Sequence, residues 1–219
     1  MTTRIITVAS QKGGVGKTTT VAELATLCAA TGKKVLAIDA DAHQGSLGGW
    51  VDQVGQDDTP FDLAILSDAS QLNNVRAIAD DYDLVFIDTP GSRGDEELIS
   101  AYMGISDFII VPSTTSGLDL EPADRYINEV ILPTKTPYSV LFTRVNSSRP
   151  QKLEDARAFF EEVEKPTFNA VIRSYSVFAD AYEEGTFVTA GRNRSASALK
   201  AIAGYQQAAT ELFAKIATL

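Results

Sequence analysis

The chain is poor in the residues that build disulfides and soft-metal sites. It has one cysteine, Cys28, and one histidine, His43, in 219 residues. A single cysteine cannot close an intramolecular disulfide and cannot alone hold a metal. Cys28 lies in an Ala-rich stretch from Val21 to Ala30, so a buried, inert thiol is expected. Long apolar runs are also missing. Runs such as Phe108 to Val111 fall far short of the ~20 residues that span a bilayer. The start, Met1 to Ile6, lacks the apolar core of a secretory signal. A cytoplasmic protein is expected.

Excess basic charge is absent too. The net charge is −10, which argues against a wholly basic nucleic-acid binder. The distribution is uneven: residues 1–139 hold 9 cations and 20 anions, and residues 140–219 hold 10 and 9. A basic surface is therefore easiest to build in the C-terminal third. Repulsion from the acidic remainder is screened beyond about 8 Å at physiological salt. The hydrophobic fraction of 44% and charged fraction of 22% are those of a folded globular chain. With no linker, repeat or low-complexity stretch, one domain over residues 1–219 is expected.

Short apolar runs alternate with amphipathic stretches. Strands are predicted at Ile5–Ala9, Val35–Ile38, Phe61–Leu66, Leu84–Ile87, Phe108–Val111 and Tyr138–Phe142, with a weaker one at Thr167–Val171. Helices are predicted at Lys17–Thr31, Ala69–Asp80, Asp95–Met103, Leu120–Leu132, Leu153–Val163, Val177–Glu184 and Ser195–Ala217. The alternation implies an α/β fold, with one doubly wound, mainly parallel sheet flanked by helices.

Between the first strand and the first helix lies Ser10-Gln11-Lys12-Gly13-Gly14-Val15-Gly16-Lys17-Thr18-Thr19. Glycines let the backbone turn so that successive amides face one anion, and the helix N-terminus adds its dipole. This is the context of a phosphate loop. Lys17 is expected on the β- and γ-phosphates and the Thr18 hydroxyl on Mg2+. Lys12, Gly13, Gly14, Val15, Gly16, Lys17, Thr18 and Thr19 are the candidate nucleotide-binding set. The common GxxxxGKS/T form needs glycine at position 11, where this chain has Gln11. It carries an early lysine, Lys12, instead.

With that lysine the segment resembles the deviant Walker A family of P-loop NTPases, which includes ParA, MinD, nitrogenase iron-protein and arsenite-pump ATPases. The resemblance implies an ATPase that binds ATP or ADP with Mg2+ and dimerises in the ATP state, Lys12 reaching the partner's nucleotide. The second strand runs into Asp39-Ala40-Asp41, at the strand ends where such sheets bind ligands. By resemblance Asp41 positions and polarises the attacking water, and Asp39 supports the Mg2+ shell. Leu84-Val85-Phe86-Ile87-Asp88 resembles a Walker B strand, with Asp88 binding Mg2+ through water. The ParA pattern continues Asp-Pro-Gln-Gly, whereas this chain reads Asp41-Ala42-His43-Gln44-Gly45. That departure leaves the roles of His43 and Gln44 open. Trp50, on a short helix, is expected as a packing anchor. Asn146, after the sixth strand, is a candidate for the adenine, and Pro112 to Leu118 for the nucleotide or the dimer interface.

The lone cysteine excludes the cluster-bearing branch and fits the arsenite-pump branch poorly. A lipid-binding terminal helix is not expected, because Ala208 to Leu219 carries one cation, Lys215, with Glu211 beside it. The chain resembles small ParA partition ATPases without an N-terminal DNA-binding domain. By that resemblance it partitions or positions cargo, first of all a plasmid or chromosome, binds DNA non-specifically, answers to a ParB-like cargo-bound adaptor that stimulates hydrolysis, and associates with the nucleoid. Arg173, Arg192, Arg194 and Lys200 are the candidate DNA contacts. A solvated charged turn at Gly191–Ser195, and a structural salt bridge at Arg173, remain the alternatives. A small-molecule ATP-dependent synthetase or kinase and a membrane-positioning MinD-like ATPase are the competing functions.

Overall fold

Seven strands form one sheet in the computed structural model, which describes residues 3–41, 45–66, 72–91 and 96–219. They are β1 (Arg4–Val8), β2 (Val35–Asp39), β3 (Asp62–Ile65), β4 (Leu84–Asp88), β5 (Phe108–Ser113), β6 (Tyr138–Val145) and β7 (Thr167–Arg173). The order is β3-β2-β4-β1-β5-β6-β7, and every pairing is parallel. The helices are α1 (Lys17–Ala30), α2 (Ser46–Val54), α3 (Leu72–Ala79), α4 (Glu96–Gly104), α5 (Gly117–Tyr126), α6 (Pro150–Glu162), α7 (Val177–Glu183) and α8 (Ala196–Ile216).

The apolar runs explain which strands are central. Every residue of β2, β4 and β5 is buried, because helices cover both faces of the sheet. Edge strand β7 alternates between buried and exposed residues instead. Val21, Leu24, Trp50, Phe86, Phe168 and Tyr205 fill one layer, and Ile127, Phe142 and Phe160 lie in another. Cys28 is buried, with its thiol pushed up to about 12 by burial, as an inert core residue requires.

The edge at β7 is closed by charge. Glu211 of α8 accepts from the Asn169 and Ala170 amides at 2.7 and 2.6 Å. Arg157 of α6 donates to the Phe168 and Asn169 carbonyls at 3.2 and 2.8 Å. These bonds occupy backbone groups that would otherwise template another strand. Lys215 lies 5.3 Å from the centre of the Phe168 ring, so both charges near the end of α8 turn toward the sheet. No helix among the described residues is long and apolar enough to cross a membrane.

One helix departs from its predicted form. The stretch expected as Leu120–Leu132 begins at Gly117 and widens after Tyr126 into a π turn at Ile127–Ile131. It then tightens into a 3-10 turn at Leu132–Thr134. Pro122, inside α5, withholds an N–H from the regular ladder.

Candidate functional site

The sheet topology brings three strand tips together. β4 lies between β1 and β2, pairing Val8 with Asp88 and Asp39 with Asp88. The loop after β1 therefore opens beside two acidic strand ends. Gly14 and Gly16 adopt φ of +74° and +88°, a region costly for residues with a Cβ. Gly16 is the N-cap of α1 and supplies no side chain, which leaves first-turn amides for an anion.

Lys17 and Thr18 stand at the start of this helix. The Thr18 hydroxyl donates to Asp88 Oδ2 at 2.6 Å. Lys17 is almost fully buried, and its Nζ donates to the Lys12 carbonyl at 3.5 Å. Burial pulls the Lys17 ammonium below its ordinary value, against the opposing pull of Asp88 and Asp41. Asp88 moves the other way: burial pushes it up to about 7, with Thr18 opposing and Asp39 adding to the rise. Its Oδ1 is buried without a hydrogen-bond partner among the described residues. An orphaned carboxylate oxygen beside a threonine hydroxyl fits a hard divalent cation such as Mg2+. Gly91 closes the floor, since a Cβ there would lie 2.8 Å from Lys17 Nζ.

Asp39 is held by backbone amides. Its Oδ1 accepts from the Asp41 amide at 3.0 Å, and its Oδ2 from Leu47 and Gly48 at 3.1 and 2.9 Å. The carboxylate is fully buried and committed to the N-terminus of α2. It anchors the helix that follows the Asp41 loop, a task beside the one expected of it near the Mg2+. Asp41 lines the cavity beside Thr18 and Ser46. His43 and Gln44 lie outside the described residues.

The cavity has a volume of about 590 Å³. Gly13, Gly14, Gly16, Lys17, Thr18 and Thr19 form its phosphate-loop wall. Thr143 and Arg144 of β6, then Ile172 to Tyr175 at the end of β7, form a second wall. Trp50 of α2 faces Phe178 and Tyr182 of α7 on the third. Trp50 is more than a packing anchor. Its indole donates to the Thr186 carbonyl at 2.9 Å and its ring meets Tyr182 edge-on at 5.8 Å, so it ties α2 to the segment after α7. Asn146 does not line this cavity. Its side chain accepts from the Ser148 amide at 2.9 Å and closes a turn. Strand β6 runs on to Val145, so the tip facing the loop is Thr143–Arg144. Cavity residues that the sequence reading did not choose include Gly91, Thr143, Arg144, Tyr175, Phe178 and Tyr182. Arg144, beside the chosen Asn146, carried a local signal.

A second cavity of about 290 Å³ borders the same loop. Lys12, Val15, Pro112, Ser113, Leu118 and Asp119 line it, and Lys12 is ion-paired with Asp119 of α5. Lys12 and Lys17 thus serve different faces of one loop, and the Pro112–Leu118 stretch borders the face of Lys12. The four basic candidates also separate. Arg173 lines the main cavity and donates to Ser147 Oγ at 3.1 Å. Arg192 is exposed and pairs with Asp58 at 2.8 Å. Arg194 and Lys200 are exposed around the start of α8, where Ser195 accepts from the Ala198 amide at 3.2 Å.

Known proteins resemble this chain in sequence and in fold. The profile of the CobQ/CobB/MinD/ParA nucleotide binding domain matches residues 6–188. A Gloeobacter kilaueensis protein named maintenance of carboxysome distribution protein A is 34% identical over 209 residues, covering 95% of this chain and 94% of that one. The Pyrococcus horikoshii septum site-determining protein MinD, solved with Mg-ADP, superposes with a TM-score of 0.76 at 22% identity, over 96% of each chain. An ATP complex of a Cyanothece McdA variant superposes with a TM-score of 0.71 at 17% identity, over 97% of this chain and 96% of that one. By the match of its sequence across strands β1 to β7, this chain belongs to the CobQ/CobB/MinD/ParA nucleotide-binding family.

Proposed function

We propose that the protein is an ATP-switched positioning ATPase. It binds MgATP in the large cavity and pairs with a second copy in the ATP state. It then attaches to DNA without sequence preference until a cargo-bound adaptor triggers hydrolysis. Lys17, Thr18 and the first-turn amides of α1 hold the phosphates, Thr18 and Asp88 the Mg2+, and Asp41 the attacking water. Bound Mg2+ would neutralise phosphate charge.

The separation of the two loop lysines carries this reading. Lys12 sits with Asp119 on the smaller cavity while Lys17 sits in the larger one. A lysine placed outside its own nucleotide site is available to a second copy's nucleotide, and this makes pairing sensitive to the γ-phosphate. The likeness to a carboxysome distribution protein over nearly the whole chain favours a protein assembly as cargo beside plasmid or chromosome. The exposed Arg194, before α8, and Lys200, in its first turns, support the DNA arm. The inward-facing Glu211 and Lys215 favour it over attachment of α8 to a membrane.

The test is light scattering with ATP and with ADP, followed by DNA binding across a salt series. The wild type should pair and bind DNA only with ATP. Lys12→Ala should keep nucleotide affinity within about threefold and lose pairing. DNA binding that ignores the nucleotide, or pairing retained by Lys12→Ala, would overturn the proposal.

A further inference from the structure

The described part of β6 contains one backbone anomaly, and it touches the phosphate loop. Among the described residues, three other than glycine have positive φ: Lys135, Arg144 and Glu164. Lys135 and Glu164 follow helical segments, where such turns close helix ends. Arg144 sits at φ 52° within strand β6, beside an irregular register between β6 and β7. A side chain held there inside a strand is disfavoured and needs a contact to hold it.

That contact is the loop. Arg144 Nη1 donates to the Gly14 carbonyl at 2.6 Å, a short bond from a charged donor. The neighbouring Thr143 hydroxyl donates to the Val15 carbonyl at 2.7 Å. Two consecutive residues of β6 therefore grip two consecutive carbonyls of the loop. In a planar trans peptide the N–H points opposite to the C=O. Holding the Gly14 and Val15 carbonyls on β6 fixes the direction of the Val15 and Gly16 amides, which are donors for an anion in this loop. Gly14 itself is left-handed, so the loop has little stiffness of its own to keep that orientation. The guanidinium also lines the large cavity with Gly16 and Lys17. Four of its five N–H donors are not used on Gly14.

We infer that Arg144 is a nucleotide-positioning residue, which holds the phosphate loop in its anion-binding shape and so sets affinity for the nucleoside diphosphate common to ADP and ATP. This rests on the reading of the large cavity as the ATP site. Its contacts lie on the loop and not at Asp41, so it acts on binding and not on the chemical step.

The strained backbone provides the discriminating variant. Glycine accepts positive φ freely, so Arg144→Gly removes the guanidinium and relaxes the strand together. ADP and a non-hydrolysable ATP analogue would be titrated calorimetrically into wild type, Arg144→Gly, Arg144→Met and Arg144→Lys. Loss of the pre-shaped loop, together with the guanidinium's remaining donors, predicts affinity about 10- to 100-fold weaker for both nucleotides in the Gly and Met variants. Arg144→Lys should fall between these and wild type, since lysine keeps the charge and loses the fork. The melting temperature of nucleotide-free Arg144→Gly should exceed that of Arg144→Met, since both lose the guanidinium and only glycine relieves the positive φ. In turnover the loss should fall on KM and not on kcat.

Unchanged affinity in both variants would overturn the inference. So would a loss confined to the ATP analogue, a fall in kcat at constant affinity, or a melting temperature lowered in step with affinity. A wild type that binds neither nucleotide in the same titration would instead overturn the ATP-site reading.

Discussion

Replacing Asp88 with asparagine should stabilise the nucleotide-free protein at high pH while weakening its Mg2+ site. The Asp88 carboxyl is held at about 7 rather than 3.8, first by burial and also by the charges of Asp39 and Asp41. A carboxyl raised in the folded state takes up its proton there before the unfolded chain does. Between about pH 4 and 7 the folded state therefore binds more protons, and stability falls as pH rises through that window. Above about 7 the full penalty of a buried charge applies, on the order of 4 kcal/mol for a displacement of this size. Asparagine carries no charge. Its oxygen can still accept from Thr18, and its NH2 would occupy the place of the orphaned Oδ1, which costs about 1–3 kcal/mol if unpaired. The net gain at pH 8 is then about 1–3 kcal/mol, or roughly 3–10 °C in melting temperature for a chain of this size. At pH 5, where Asp88 in the wild type is already protonated, the gain should vanish. The assay is thermal unfolding in chelator-containing buffer from pH 5 to 8.5. A difference independent of pH, or an asparagine variant less stable at pH 8, would refute the reasoning. Added ADP with Mg2+ should raise the melting temperature of the wild type more than that of the variant.

Three further outcomes are expected. Glu23 is fully buried in α1, and its two oxygens accept from the Val188 and Thr189 amides at 3.1 and 2.8 Å. Glu23→Gln sets an NH2 against one of those donors and should destabilise by about 1–3 kcal/mol in urea unfolding. Gly185 has φ 60°, and a Cβ there would lie 2.5 Å from the Gln53 carbonyl, so Gly185→Ala should push α7 away from α2. Quenching of Trp50 by acrylamide should then increase. Arg192→Glu with Arg194→Glu should weaken ATP-dependent DNA binding for every sequence tested, and should lower the slope of log affinity against log salt by about one per lost phosphate contact.

The strand–loop–helix at Lys12 to Thr19, the acid at the tip of β4 and the parallel sheet are legible in the amino-acid order alone. These are local: eight contiguous residues specify the loop, and apolar runs without alternation specify strands buried on both faces. Tertiary structure decided the rest. Asp39 and Asp41 are two residues apart and look equivalent in sequence, yet Asp39 is occupied by amides of α2 while Asp41 lines the cavity. Asn146 and Arg144 are also two apart. The extension of β6 to Val145 and the reversed φ of Arg144 gave the loop to arginine and left asparagine to a turn. Arg173 reads as one more cation of a basic region, and the end of β7 carries it into the cavity wall. Lys12 and Lys17 lie five residues apart, and the fold sets them on two different cavities. Which way a side chain points at a strand tip depends on register, bulges and the helices packed above it, and all three are set by residues distant in sequence.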